Sequence, residues 1–145
     1  MNKYSKLEIF KPSTQTKVEL PLVEATVSAG FPSPADDYME ARLDLNKKLI
    51  SNESATFYAR VKGDSMNLAG ISDGDLLIID RSKTPVNGSV VVCLIDGEFT
   101  VKRLEKQGNI FFLMPENPTF RPIEIKPENS VTIWGVVTYT IKKHF

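Results

Sequence analysis

The sequence predicts a mainly β fold of twisted antiparallel strands with one or two short helices, preceded by an extended N-terminal arm. Three observations lead to this fold class. From Ala55 onward, short runs rich in β-branched and aromatic residues follow one another. Turn dipeptides such as Asp-Gly and Asn-Gly separate these runs, and such dipeptides close β-hairpins. The first 37 residues instead contain four prolines and little sustained periodicity, which is typical of an extended segment.

The elements can be assigned in chain order. The arm is predicted to hold a short strand around residues 24–28, and Asp44 is placed to cap a short helix over Leu45–Ile50. A longer helix that starts near Pro34 is an alternative, because proline suits the first helical turn. Six to eight strands follow, with the clearest hairpin signal at Asp96-Gly97. The strand runs are TFYARV, DLLIID, SVVVCLID, EFTVKRLE, NIFFLMPE, PIEI and SVTIWGVVTYTIKK.

Length and charge limit the function classes. A chain of 145 residues suits one compact domain. Lysine plus arginine equals aspartate plus glutamate at 18 each, and this balance argues against nucleic acid as the main partner, since phosphate binding needs a basic excess. The sequence shows no long uncharged apolar run and no apolar signal-peptide core at its N-terminus, so a cytoplasmic location is expected.

Cysteine and histidine each occur once. Cys93 lies within an apolar run and is interpreted as a buried strand residue, and His144, beside the C-terminus, is expected to be exposed. These counts leave no His/Cys cluster for zinc and no ready Ser-His-Asp triad. Asp73, Asp75 and Asp80 do not match the spacing of a calcium loop, so the sequence predicts neither a metal nor a cofactor site.

Ser65 stands in a Gly-Asp-Ser stretch just after a predicted strand. That composition is typical of a structural turn, and the alternative is that Ser65 is a nucleophile. A serine hydroxyl needs a proton acceptor, and lysine can fill that role only when desolvation keeps it neutral. Lys102 lies in an apolar strand run with Thr100 on the same face. The pattern alone favours a solvent-facing edge-strand lysine there, with a general base as the second interpretation.

Several motifs in one register resemble a known family. They are GDSM at 63–66, GISDGDLLIID at 70–80, DGEFTVKRL at 96–104, AGFPSPADDYMEARLDLNKKLI at 29–50 and WGVVTYTIK at 134–142. The sequence from Ala29 to the C-terminus thereby resembles the LexA/UmuD family of self-cleaving serine peptidases. The resemblance implies a LexA/UmuD-type peptidase domain over residues 30–145 and a removable arm over residues 1–29.

The resemblance also implies roles for individual residues. Ser65 matches the family's nucleophile, in a turn supported by Gly63, Asp64 and Met66, and Lys102 matches its general base. The scissile bond matches Ala29-Gly30, where alanine replaces the cysteine of some members.

The implied partners are a second copy in a homodimer, a RecA–single-stranded DNA filament that triggers cleavage, and a UmuC-like Y-family translesion polymerase in the SOS response to DNA damage. No helix-turn-helix segment is recognised before the cleavage site, which favours the polymerase-accessory branch. The alternatives are a LexA-like repressor fragment and a non-enzymatic interaction module with a vestigial dyad. A signal peptidase is disfavoured, because it would need a membrane anchor.

Overall fold

The computed structural model of the chain describes residues 6–14, 19–22 and 41–145. The chain divides into two compact units, one formed by residues 1–12 with 52–145 and the other by residues 13–51. The larger unit contains one eight-stranded sheet, and the smaller contains a two-stranded sheet and a short helix. Within the described residues, no helix has the length and apolar character needed to cross a membrane.

All neighbouring strands of the eight-stranded sheet run antiparallel, in the order β1-β4-β5-β10-β6-β7-β8-β9. The strands are β1 (Lys6–Phe10), β4 (Thr56–Lys62), β5 (Leu76–Asp80), β6 (Val90–Ile95), β7 (Glu98–Gln107), β8 (Ile110–Met114), β9 (Ile123–Glu124) and β10 (Val131–Ile141). Short 3₁₀ turns cover Glu53–Ala55 and Asn67–Ala69.

The sheet curls because its long central strand is bent. β10 pairs with β6 along its first half and with β5 along its second, and the register shifts between Ile133 and Gly135 and again between Val137 and Tyr139. Such irregularities bend a strand and increase its twist. Gly135 is needed at the bend, since a Cβ there would lie 2.6 Å from Cγ2 of Ile79. The curl brings β1 close to β7, which is not its hydrogen-bonded neighbour.

The curled sheet has two apolar clusters. The first is formed by Ala59, Val61, Met66, Ile71, Leu77, Ile79, Val92 and Val101, with Leu7 and Ile9 of β1 packed against it. The second is formed by Val91, Cys93, Ile95, Leu104 and Leu113. Alternate residues of β6 and β7 therefore belong to different clusters, because successive side chains of a strand point to opposite faces. Both faces of these central strands are covered.

The smaller unit holds β2 (Glu19–Leu22), paired antiparallel with β3 (Ala41–Asp44), followed by α1 (Leu45–Leu49). The carboxylate of Asp44 accepts a hydrogen bond from the backbone N–H of Asn46 at 3.0 Å. This is the N-cap arrangement that satisfies a donor in the first helical turn. The predicted short helix and its cap are thus confirmed.

The predicted β fold is confirmed, with seven strands after residue 55. The hairpin at Asp96-Gly97 joins β6 to β7, and both residues have positive φ (50° and 80°), as a type I′ turn requires. The sequence reading missed β1 and β2. The strand expected around residues 24–28 and the alternative helix near Pro34 lie outside the described residues.

Candidate active site

Lys102 is placed by the register of the central strands. β7 lies between β6 and β8, and Lys102 pairs with Val91 across the β6–β7 ladder. Its side chain is 1% exposed. The interpretation of Lys102 as a solvent-facing edge-strand residue was therefore wrong. Its face of the strand is covered by the rest of the domain, and strand alternation alone could not reveal this.

Ser65 lies in the turn that follows β4. Gly63 begins this turn with φ of 101°, a left-handed conformation that favours glycine, and its N–H donates to Oδ1 of Asp73 at 2.9 Å. Ser65 is fully buried, and the next residue, Met66, anchors the turn in the first apolar cluster. The turn therefore places a serine hydroxyl inside the domain, away from the surface.

The two predicted dyad residues meet in the structure. Nζ of Lys102 donates a hydrogen bond to Oγ of Ser65 at 3.2 Å, and 37 residues separate them in the sequence. When the amine is neutral, the same atoms can bond in the opposite sense, with the serine O–H donating to the nitrogen lone pair. This is the geometry required between a nucleophile and its base.

Burial also changes the chemistry of the amine. Removal from water penalises the charged form and lowers the pKa of Lys102 from 10.5 to about 8, while the nearby Cys93 thiol acts weakly in the opposite direction. Cys93 is fully buried in β6, as predicted, and burial raises its pKa to about 12, so its thiol stays neutral near pH 8. A usable fraction of Lys102 is consequently unprotonated near neutral pH.

A loop after β8 holds the Ser65 turn. Nδ2 of Asn117 donates to the backbone carbonyl of Asp64 at 2.9 Å, and the N–H of Glu116 donates to the carbonyl of Ser65 at 2.8 Å. The carbonyl of Glu116 in turn accepts from the N–H of Leu68 at 2.9 Å. Peptide groups on both sides of the serine Cα are thus fixed from one short segment.

The same loop is tied to β7 beside the lysine. Nε of Arg103 donates to Oε1 of Glu116 at 2.7 Å, and a terminal nitrogen of Arg103 donates to the carbonyl of Gly88 at 2.7 Å. Arg103 follows Lys102 directly, so one ion pair connects the strand of the base to the loop that holds the nucleophile.

Two further side chains surround the amine. The ring of Phe120 has its centroid 5.6 Å from Nζ of Lys102. Thr100 is two residues before Lys102 on the same face of β7, and its Oγ1 is buried with no hydrogen-bond partner among the described residues. The pocket of the base is therefore mainly apolar, with one polar oxygen on its strand.

The other residues singled out in the sequence have separate positions. Ala29 and Gly30 lie outside the described residues. The carboxylates of Asp75 and Asp80 accept bonds from the backbone N–H groups of Ser72 and Ser82 at 2.8 Å each, so both aspartates stabilise local turns. Among the described residues, no three His, Cys, Asp or Glu side chains group together as metal ligands.

Sequence reasoning missed Glu116, Asn117 and Arg103. The only signal was the polar PENP stretch at 115–118, which resembles any loop after a strand. Its partners lie more than 50 residues earlier in the chain, so a local pattern cannot identify its role.

Comparisons with known proteins agree with this geometry. Residues 21–138 match the peptidase S24-like family. The chain is 45% identical to the protein MucA of Escherichia coli over 141 residues, which cover 96% of each chain. It is 44% identical to the protein ImpA of Salmonella typhimurium over 138 residues, 91% of this chain and 90% of ImpA. It is also 40% identical to the LexA repressor of Glaesserella parasuis serovar 5, over 86% of this chain and 59% of that repressor.

Proposed function

We propose, from the premise that the chain belongs to the peptidase S24-like family, that Ser65 and Lys102 are the catalytic dyad of this self-cleaving serine peptidase. The observation that supports this assignment most directly is the 3.2 Å distance between Nζ and Oγ of two buried side chains. The lowered pKa of Lys102 gives the same pair a base that can be neutral at physiological pH.

The reaction begins with a proton transfer. Neutral Lys102 takes the hydroxyl proton of Ser65 while Oγ attacks the carbonyl carbon of Ala29. The tetrahedral intermediate collapses by breaking the bond to the nitrogen of Gly30, which receives the proton from the lysine. An ester between Ser65 and Ala29 remains, and a water molecule deprotonated by Lys102 hydrolyses it to a carboxylate.

The oxyanion needs a fixed donor. Within a peptide group the carbonyl and the following N–H point in opposite directions, so the bond from Asn117 to the carbonyl of Asp64 also fixes the direction of the N–H of Ser65. We assign this N–H as one donor to the oxyanion, since a donor held in place before the reaction stabilises developing charge most effectively.

The substrate of this site is the chain's own arm. Ala29 is small and Gly30 has no side chain, so the backbone at this bond can approach a buried serine closely. Residues 1–29 would be released and residues 30–145 would form the functional product. Each molecule turns over once, and cleavage therefore acts as a switch.

The cellular setting follows from the resemblance to the LexA/UmuD family. The protein acts in SOS mutagenesis in the bacterial cytoplasm, as a homodimer whose cleavage is stimulated by a RecA–single-stranded DNA filament. The cleaved form serves a UmuC-like Y-family polymerase as an accessory subunit. The balanced charge of the chain supports this role over operator binding by a repressor fragment, because DNA binding needs a basic surface.

The test is to incubate the purified protein with a RecA filament and to measure the intact masses of the products. Two fragments that meet at Ala29 and Gly30 are expected, and the Ser65→Ala variant should stay whole. A cut at another bond, or cleavage that survives Ser65→Ala, would contradict the assignment. An unchanged chain would favour the vestigial dyad, and a mobility shift with promoter DNA would favour the repressor.

A further inference from the structure

The inference concerns the edge of the sheet at β4, and it rests on the proposed cleavage at Ala29-Gly30. In the uncut chain this edge is covered by β1, which pairs with β4 from Lys6 opposite Lys62 to Phe10 opposite Tyr58. β1 is the terminal strand of the sheet order and lies upstream of the proposed scissile bond. Cleavage would therefore turn an intramolecular strand into part of a separate peptide.

β1 is held by alternating contacts. Leu7 and Ile9 are partly buried and pack against the first apolar cluster. Glu8 lies between them on the other face and forms an ion pair with Lys62. Just after the strand, Nζ of Lys11 donates to the carbonyl of Ser54 at 2.9 Å. The seat on β4 thus accepts two apolar side chains with an acidic one between them.

The charge of the edge explains the acidic position. Arg60 and Lys62 are the two exposed residues of β4, and Glu8 is directly opposite Arg60 in the ladder. Opposite charges across a ladder are favourable, and like charges are unfavourable. A β4–β4 pair between two cut copies centred on Val61 would place Arg60 opposite Lys62, so the edge disfavours a second copy of itself.

Cleavage removes the advantage that holds β1 in place. In the uncut chain, β1 is tethered to its seat at a high effective concentration. A five-residue ladder with two apolar side chains keeps no such advantage as a separate peptide, since association costs translational and rotational freedom. Its departure bares a row of backbone N–H and C=O groups on β4 and uncovers part of the apolar cluster.

We propose that the vacated edge of β4 is a docking site for an extended segment of a partner protein, which adds as an antiparallel strand with an apolar–acidic–apolar pattern. Strand addition of this kind takes affinity from backbone hydrogen bonds and specificity from alternate side chains. β1 blocks the site in the uncut protein, so cleavage makes the partner's binding conditional.

The test separates this site from the self-cleavage reaction. In a full-length Ser65→Ala chain, the recognition sequence of a sequence-specific protease is placed at Ala29-Gly30, so that the cut is made externally. The probe is a fluorescent synthetic peptide of residues 4–12, and binding is measured by fluorescence anisotropy before and after the cut. A failure of the Ser65–Lys102 chemistry leaves this measurement unaffected.

We expect saturable binding to the cut protein and at least tenfold weaker binding to the uncut one. A Glu8→Lys peptide should bind several-fold more weakly, and Lys62→Glu in the protein should restore its binding. Hydrogen exchange should show faster exchange at residues 58–62 of the cut protein without peptide, and slower exchange with it. An uncut chain with Leu7→Lys and Ile9→Lys, which expels β1 without any cut, should bind the peptide as the cut protein does.

Three results would overturn the proposal. The first is absence of saturable peptide binding to both the cut protein and the double variant. The second is equal binding to cut and uncut chains. The third is co-elution of residues 1–29 with the rest of the cut protein in gel filtration at low micromolar concentration, because the edge would then stay occupied. A cut protein that dimerises through β4 and is not dissociated by the peptide would assign the edge to a second copy instead.

Discussion

The two residues of the dyad are held by different kinds of structure. Lys102 belongs to a strand with a neighbour on each side, where the register of β6 and β7 fixes its position and burial sets its pKa. Ser65 belongs to a turn, where hydrogen bonds from Glu116 and Asn117 fix the backbone around it. Changes around the lysine should therefore move the pH profile, whereas changes around the serine should alter the rate at every pH.

The largest effect should come from Lys102→Met, which keeps a side chain of similar length and removes the amine. Cleavage should be abolished, because no base remains. The folded protein should nevertheless become more stable at pH 7. Each pKa unit corresponds to about 1.4 kcal/mol, so lowering the pKa from 10.5 to about 8 costs the folded wild type up to about 3 kcal/mol.

The sign of this stability effect can be checked with pH. Below pH 8 both the folded and the unfolded chain bind the lysine proton, and the cost is complete. Between about pH 8 and 10.5 the unfolded chain binds more protons, so the stability of the wild type rises with pH. Urea unfolding at pH 7 and 9.5 should show the advantage of Lys102→Met shrinking. Lys106→Met, at an exposed lysine of the same strand, is the control and should show no such trend.

The next effect is the pH dependence of cleavage without an activator. With a pKa of about 8, about a tenth of Lys102 is neutral at pH 7 and half at pH 8, so the rate should rise about fivefold between them and level off above pH 9. Lys102→Arg should show no cleavage at any of these values, since guanidinium stays protonated. A flat wild-type profile would exclude Lys102 as the base.

A smaller effect is expected on the serine side from Asn117→Asp. The carboxylate can still accept from the N–H and O–H of Thr119, but the donor to the carbonyl of Asp64 is lost. Loss of one such buried bond costs about 1–3 kcal/mol, so the maximal rate should fall about tenfold with an unchanged pH midpoint. Thr119→Val is the matched control and should cleave nearly as fast as the wild type. A shifted midpoint would show that Asn117 acts on the lysine instead.

The smallest effect should come from Cys93→Ala. The thiol is neutral near pH 8 because its own pKa is raised to about 12, so its removal should leave the midpoint of the rate profile within about 0.3 of a pH unit. Some stability should be lost through the cavity, on the order of 1 kcal/mol. Rate profiles and urea unfolding on the same samples would measure both. A large change in the midpoint would mean that Cys93, and not burial, controls the pKa of Lys102.

The sequence predicted the elements better than their surroundings. The hairpin at Asp96-Gly97 and the cap at Asp44 are local features, because each depends on residues within one turn, and both were found. β1 was missed although Leu7, Glu8 and Ile9 alternate as a strand should, since a run of five residues beside several prolines gives a weak signal. The PENP loop gave no signal of its function, because its partners are distant in the chain.

The sequence by itself determined which residues could carry the chemistry. The scarcity of histidine left lysine as the base, and the motifs around Ser65 and Lys102 selected one serine and one lysine. Only the tertiary structure decided that the lysine is buried, that it lies 3.2 Å from the serine, and that a loop and an ion pair hold the two together. The physical reason is that strand alternation tells which side chains share a face, whereas desolvation depends on whether distant parts of the chain cover that face.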